Sequence, residues 1–521
     1  MRLLKKPLQP AGRTTYLRFA VGADGESQRP DNPNQSTPFE RLWHMDEAAI
    51  KKIVTQVIES LDYRTRPAPA PSPGGGVGVF QTINEAVEAA VVAQRQLMGM
   101  SLEARRRILE AIRHTCRQRA EDFSRRTIEE TGMGRLAHKI GKHMTVADKT
   151  PGIEILQPQA FSGDHGLTVV ERAPYGVIGA VTPVTHPVPT MVNNAIGIIA
   201  AGNSAVFNPH PRSKTVFAYA IDVFNRAIAA AGGPTPLISC VAEPTLETSK
   251  ELFSHPDIRL LLVTGGPGVV RAALASQKKA ITAGPGNPPV VVDETADIPK
   301  AAADIIAGAA FDNNILCIGE KEVFAVEAIF DPLKREMLKR NCVELNRQQI
   351  DDLARKAFLV EGPNLTFGSC GEVGLNRDMV GKNADYLAKQ IGLTVPPSTE
   401  LLIGETGPDH LWVMEEQMMP FLPLVRARDV HHAIDMALVA ERGYGHTAII
   451  HSRNVAHMDK YARLSNVTLF IKNGPSMAGL GVGGEGYTSF SIASPTGEGV
   501  TTALNFTRER RCTLVDYFRI T

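Results

Sequence analysis

Arg259-Leu-Leu-Leu-Val-Thr264-Gly265-Gly266-Pro267-Gly268 is the stretch on which the fold turns: an apolar run, a glycine turn, then a proline placed to open a helix. The leucines and valine suit a strand buried on both faces, and Pro267 suits a first helical position, where no backbone N–H is needed. Such a turn lets a phosphate approach the N–H groups at a helix start. Glycines between strand and helix are equally at home as tight-turn residues. The stretch lacks the full G-x-G-x-x-G fingerprint, so at Thr264, Gly265 and Gly266 both readings stay open on local grounds.

The same texture continues on either side. Strand-like runs fall at 175–181, 204–208, 237–241, 259–263, 279–283 and 289–292, with helical stretches at 188–200, 213–231, 246–254 and 267–277. This alternation predicts an α/β fold with a parallel, doubly wound sheet. Upstream, Thr82-Ile-Asn-Glu85 is a capping box that opens a helix through Met98, and a second long helix is expected from 102 to 131. Downstream, a further mixed unit runs to Lys472, with helices at 355–358 and 430–439. The tail from Val482 is Gly/Ser/Thr-rich, then β-rich through Cys512-Thr-Leu-Val-Asp-Tyr-Phe518, a pattern suited to pairing with a neighbouring subunit.

The 521 residues suffice for two or three packed units. A net charge of +1 gives no reason to expect nucleic acid or an anionic surface as partner. The six cysteines form no C-x-x-C pair, which in so large a chain suggests reduced thiols in a cytosol-like compartment. Without an H-E-x-x-H motif or a metal-spaced cluster, no catalytic metal is expected. The apolar stretch 188–207 is broken by Asn193, Asn194, Asn203 and Ser204, too polar to span a bilayer. Residues 1–44 read as a disordered extension. In 45–62, Ile50, Ile53, Val54, Val57, Ile58 and Leu61 form one helical stripe, and the Pro/Gly-rich residues 63–78 tether it as a linker. That apolar face either folds back on its own chain or docks on another protein.

Cys317 stands in Phe311-Asp-Asn-Asn-Ile-Leu-Cys317. Alone, a cysteine in an apolar run reads as an inert buried thiol. Its company raises it: Thr182-Pro-Val-Thr185-His186-Pro187 ends a predicted strand, and Ala283-Gly-Pro-Gly-Asn287-Pro-Pro-Val-Val-Val-Asp293 lies some thirty residues upstream of the cysteine. With Asn193-Asn-Ala-Ile, Ala201-Gly-Asn-Ser, Lys472-Asn-Gly-Pro and Pro495-Thr-Gly-Glu-Gly-Val-Thr501, in this order, residues 77–521 resemble the aldehyde dehydrogenase superfamily. The likeness is greatest to its CoA-acylating branch, the propionaldehyde and acetaldehyde dehydrogenases of bacterial microcompartments.

The resemblance implies a Rossmann-type cofactor domain at 79–288 with 473–481, an α/β catalytic domain at 289–472, and a β oligomerisation flap from strands near 165–175 and the 482–521 tail. A homo-oligomer, dimer or tetramer, follows. The resemblance makes Cys317 the nucleophile, with its backbone N–H and Thr185 as oxyanion donors. It sets NAD against Thr182, Pro183, Pro209, His210, Thr264, Gly265, Gly266, Ala283 and Gly284. Hydrolytic relatives carry a Glu where this chain has Ala283, and losing such a base slows water attack by roughly 10²–10⁴-fold. Coenzyme A, a better nucleophile toward a thioester, is the implied acceptor. The implied setting is a cytoplasmic microcompartment, with 45–61 as an encapsulation peptide docking on a shell or cargo protein. Departures from the family pattern touch His186, Asn208 and Glu416-Gln-Met-Met-Pro420. An acyl-phosphate reductase of the same fold, an acetaldehyde-specific enzyme and a catalytically silent cargo protein remain as alternatives.

Overall fold

The computed structural model describes residues 76–369 and 373–519; the expected extension 1–44, the helix 45–62 and most of the linker 63–78 lie outside the described residues. Six parallel strands form a first sheet in the order Val79–Phe80, Ile238–Val241, Ser204–Pro209, Val177–Thr182, Ile258–Thr264, Lys279–Ala283. The order reverses at Val177–Thr182: the next two strands in the chain lie on one side of it and the last two on the other. In an open parallel sheet such a reversal leaves a crevice beyond the carboxyl ends of the strands that flank it.

Seven parallel strands form a second sheet: Cys342–Glu344, Leu401–Glu405, Phe421–Ala427, Glu322–Val326, Pro289–Val292, Thr447–His451, Leu469–Lys472. The chain crosses between the sheets through 284–288, so the carboxyl end of Lys279–Ala283 leads directly to the amino end of Pro289–Val292. Residues 473–481, expected with the first unit, pack instead on the second. Ser476 N–H donates to Glu320 at 2.8 Å, and Gly479 lies against Ile471 and Leu469. The tail strand Thr507–Val515 pairs antiparallel with Gly166–Pro174 of its own chain, which pairs in turn with Gln159–Gly163. Thr507–Val515 is an edge of that three-stranded sheet.

Helix Ile83–Met98 starts as its capping box predicts: the Thr82 hydroxyl accepts from Glu85 N–H, and the Glu85 carboxylate accepts from Thr82 N–H. The single helix expected over 102–131 is two, Leu102–Gln118 and Ala120–Thr131, with Arg119 between them at φ −102°, ψ 6°. The buried residues Ala104, Ile108, Ile112, Cys116 and Ala120 recur every four positions. In a helix turning about 100° per residue that stripe drifts about 40° at each step, and the break at Arg119 brings the face back onto the core. A helix not anticipated from sequence, Leu136–Lys149, follows; it buries Lys139, Lys142 and His143 alongside Val146 and Ala147.

Candidate active site

The register of the first sheet sets Thr182 beside Pro209 and Thr264 beside Ala283. Because Val177–Thr182 also pairs with Ile258–Thr264, the strand ends carrying all nine expected cofactor positions stand side by side along one carboxyl edge, across the reversal. Thr182 Oγ1 is buried there without a hydrogen-bond partner, an arrangement worth about 1–3 kcal/mol to relieve. Apart from the adjoining backbone, no atom of the described residues lies within 4 Å of where a Cβ at Gly266 or Gly268 would sit. An orphaned hydroxyl, and open space at the start of helix Pro267–Leu274, fit a dinucleotide laid across the crevice.

Some expected groups are already engaged. The Thr264 hydroxyl bonds Ser491 Oγ at 2.7 Å, and Gly265 N–H donates to the Ala283 carbonyl at 3.1 Å. These two shape the edge and leave Gly266 as its open position. Asn208 ties its strand to helix Leu246–Ser254, donating to Ser249 Oγ at 2.6 Å and accepting from Thr248 Oγ1 at 2.8 Å. His210 Nδ1 accepts from Arg212 N–H at 3.1 Å.

The cysteine loop is unusual backbone. Asp312, Asn313 and Asn314 are consecutive at φ 48°, 58° and 64°, a left-handed region that costs about 1–2 kcal/mol per residue and that Asp and Asn tolerate best. Each side chain is tied down. Asp312 Oδ1 accepts from Arg135 N–H at 2.7 Å, and its Oδ2 from Lys142 at 2.5 Å and Lys139 at 3.2 Å. Asn313 accepts from Arg135 Nε at 2.6 Å and donates to the Gly381 carbonyl at 2.8 Å. Asn314 donates to Ala309 O at 2.9 Å and Glu320 O at 2.8 Å, while its carbonyl accepts from Lys321 at 2.7 Å. Lys139 also donates to the Thr185 carbonyl at 3.3 Å. One ammonium thus joins the Thr182–Pro187 turn to the loop that carries Cys317.

From the other side comes the 283–287 segment. A Cβ on Gly286 would stand 2.6 Å from the Cys317 carbonyl oxygen and 2.9 Å from the His446 ring, so only glycine lets the segment pass so close. Asn287 anchors it by donating to the carbonyls of Val413 and Ala440, each at 2.9 Å. Ala283 is buried and its carbonyl is the one that Gly265 engages. The sequence reading did not pick out His446. It is buried, its Nδ1 lies 2.8 Å from Thr447 Oγ1, its Nε2 has no partner, and burial pulls it down to about 4. It therefore stays neutral beside the cysteine loop.

Cys317 is half-buried. Desolvation pushes its thiol up to about 12 and Glu416 adds to the rise, while Lys321, a backbone N–H and Lys142 oppose it. Burial also raises Glu416, against the pull of Lys321 and of a hydrogen bond from Gly286 N–H. His186, at the start of helix Pro187–Ala200, lies edge-on to Phe490 at 5.4 Å and is held well below its usual pKa by burial, with Lys142 and Lys139 adding to the drop. It is a neutral packing ring in the turn. Sequence did hold one signal for the missed lysines: Lys139, Lys142, His143 and Val146 share one helical face, so charged residues occupy core positions.

Residues 79–353 match the model of the aldehyde dehydrogenase family, and the chain belongs to that family. An acetylating acetaldehyde dehydrogenase of Bilophila wadsworthia is 49% identical over 446 residues, 85% of this chain and 91% of its own. A propionaldehyde dehydrogenase from the fucose-utilisation microcompartment of Clostridium phytofermentans has a similar structure, with TM-score 0.82 and 46% identity over 85% of this chain and 100% of that one. The structure of a Rhodopseudomonas palustris propionaldehyde dehydrogenase with bound CoA and an acylated cysteine gives TM-score 0.80 at 47% identity, over 84% of this chain and 98% of its own.

Proposed function

We propose that this chain oxidises a short aliphatic aldehyde, propionaldehyde foremost, on Cys317 with NAD+ and passes the acyl group to coenzyme A. One observation carries the choice of acceptor. The segment lying over Cys317 offers Ala283, Gly284, Gly286 and an anchored Asn287, with no carboxylate to activate water. In the reaction the Cys317 sulfur forms a bond to the aldehyde carbon, and the carbonyl oxygen becomes an anion met by Cys317 N–H and the Thr185 hydroxyl. NAD+, held along Thr182, Pro183, Pro209, His210, Gly266 and Gly284, supplies a hydride acceptor. Cys317 is left as a thioester, and attack by the CoA thiolate expels the Cys317 thiolate as acyl-CoA forms.

One observation favours a second reading, hydrolysis to the free acid: the Glu416 carboxylate faces Cys317. Burial raises that carboxyl, while the charge of Lys321 and a hydrogen bond from Gly286 N–H oppose the rise. Mass spectrometry of the products from purified protein, NAD+, CoA and aldehydes of two to four carbons separates the two. Acyl-CoA equal to the NADH formed is the expected result, and free acid at that yield overturns the proposal.

The same reading gives 79–288 to cofactor binding and 289–472 to catalysis. It places the enzyme in a cytoplasmic microcompartment as a homo-oligomer, with 45–62 docking on a shell or cargo protein. The microcompartment origin of the Clostridium phytofermentans relative supports that placement.

A further inference from the structure

Lys139 and Lys142 both bind the one carboxylate of Asp312, and the three side chains are at most 3% exposed. Two ammoniums on one carboxylate leave a positive charge without a counter-charge, a costly state in a protein interior. The groups around it do not supply the missing anion. His138, His143 and His186 are all held below their usual pKa and neutral. Arg135 is a further cation, directed at Asn313 and the Glu400 carbonyl, with Glu400 and Asp385 as its other acidic neighbours. Lys321 feels Glu416 first and then the Cys317 sulfur, with Glu322 and Glu320 beyond, carboxyls that burial raises, so it acts on the same sulfur as Lys142. Next to Lys142, the remaining group able to become an anion is the Cys317 sulfur, and each of the two feels the other's charge.

We propose that Lys142 is a positioning residue whose ammonium, oriented by Asp312 and left over from the Lys139–Asp312–Lys142 charge count, stabilises the thiolate of Cys317. The cluster also fixes the sulfur in space, because Asp312 begins the left-handed run that leads to the cysteine. This rests on Cys317 being the nucleophile.

The test is the rate at which iodoacetamide alkylates Cys317 in the full chain, read by peptide mass spectrometry between about pH 7 and 9; the sulfur bonds to carbon and iodide leaves, so the rate follows the thiolate fraction. Lys142→Met is expected to slow alkylation about tenfold near pH 7, one pKa unit, and by less toward pH 9, where wild-type Lys142 itself loses its charge, while Lys142→Arg stays within about threefold of wild type near pH 7. Asp312→Asn removes the counter-charge and is expected to speed the reaction. Opposite signs from two members of one cluster are not the mark of a merely structural role. Equal rates in Lys142→Met and wild type at pH 7, or a slower reaction in Asp312→Asn, would overturn the proposal. Should Lys142→Met fail to fold, the direction seen in Asp312→Asn decides alone. Failure here leaves the acylation of Cys317 untouched, and that step fails separately if aldehyde label lands on another residue.

Discussion

Cys317 sits where burial and Glu416 resist ionisation and two buried lysines favour it. Cys317→Ala should abolish aldehyde-dependent NADH formation while leaving the urea midpoint nearly unchanged, since a half-buried thiol adds little to packing. Lys142 makes the pH response specific. Burial draws its ammonium down to about 8. Raising the pH ionises the thiol and speeds alkylation, but above about 8 it also strips the charge from Lys142, which lifts the thiol further. The two effects have opposite sign, so the wild-type rate should climb less than tenfold per unit above pH 8, and Lys142→Arg should restore the full tenfold slope. A tenfold slope in the wild type would contradict this. Sequence could single out Cys317 because its neighbours in the chain carry a pattern. It could not supply His446, which lies far along the chain and meets the site beside Gly286.

The elements most legible in the sequence were the strands of the first sheet, because a strand buried on both faces writes itself as an uninterrupted apolar run closed by a glycine or proline. Lys279–Ala283 falls where its run predicts, as do Pro289–Val292 of the second sheet and the helix Leu246–Ser254. Helix Leu136–Lys149 escaped because its buried face holds lysines, and a search for apolar periodicity passes over them. The break at Arg119 escaped because drift of a stripe shows only when it must meet a fixed core. The 283–287 segment offers a test of how closely two elements pass. Gly286→Ala places a methyl 2.6 Å from the Cys317 carbonyl oxygen, and backbone is what would have to yield. Turnover should fall at least about tenfold, with a stability loss of about 1–3 kcal/mol measured by urea unfolding.

The molecule as a whole places its site where two parallel sheets meet, with the carboxyl edge of the first turned toward the segment that enters the second. One feature of the described residues lies away from it. The three-stranded sheet carries exposed Phe161, Leu514 and Val515, and exposed Tyr517 and Phe518 follow its last strand, apolar surface of the kind that marks association. Truncation after Phe506 should shift the protein to a smaller species in analytical ultracentrifugation; an unchanged sedimentation coefficient per subunit count would contradict an oligomerisation role. Deletion of 45–62 should leave turnover intact and abolish co-localisation with shells, and lost turnover would point to folding back on the catalytic body. Neither the linker nor the apolar stripe names its partner in the sequence, because an amphipathic face specifies burial and not the surface that buries it.

The central claim is a covalent one, and the mass of the protein reads it directly. Incubated with propionaldehyde and NAD+ without CoA, the chain should gain one propionyl group on the peptide carrying Cys317. Adding CoA should remove that mass and release an equal amount of propionyl-CoA. Acylation of a different residue, or loss of the acyl group to water as fast without CoA as with it, would contradict the account.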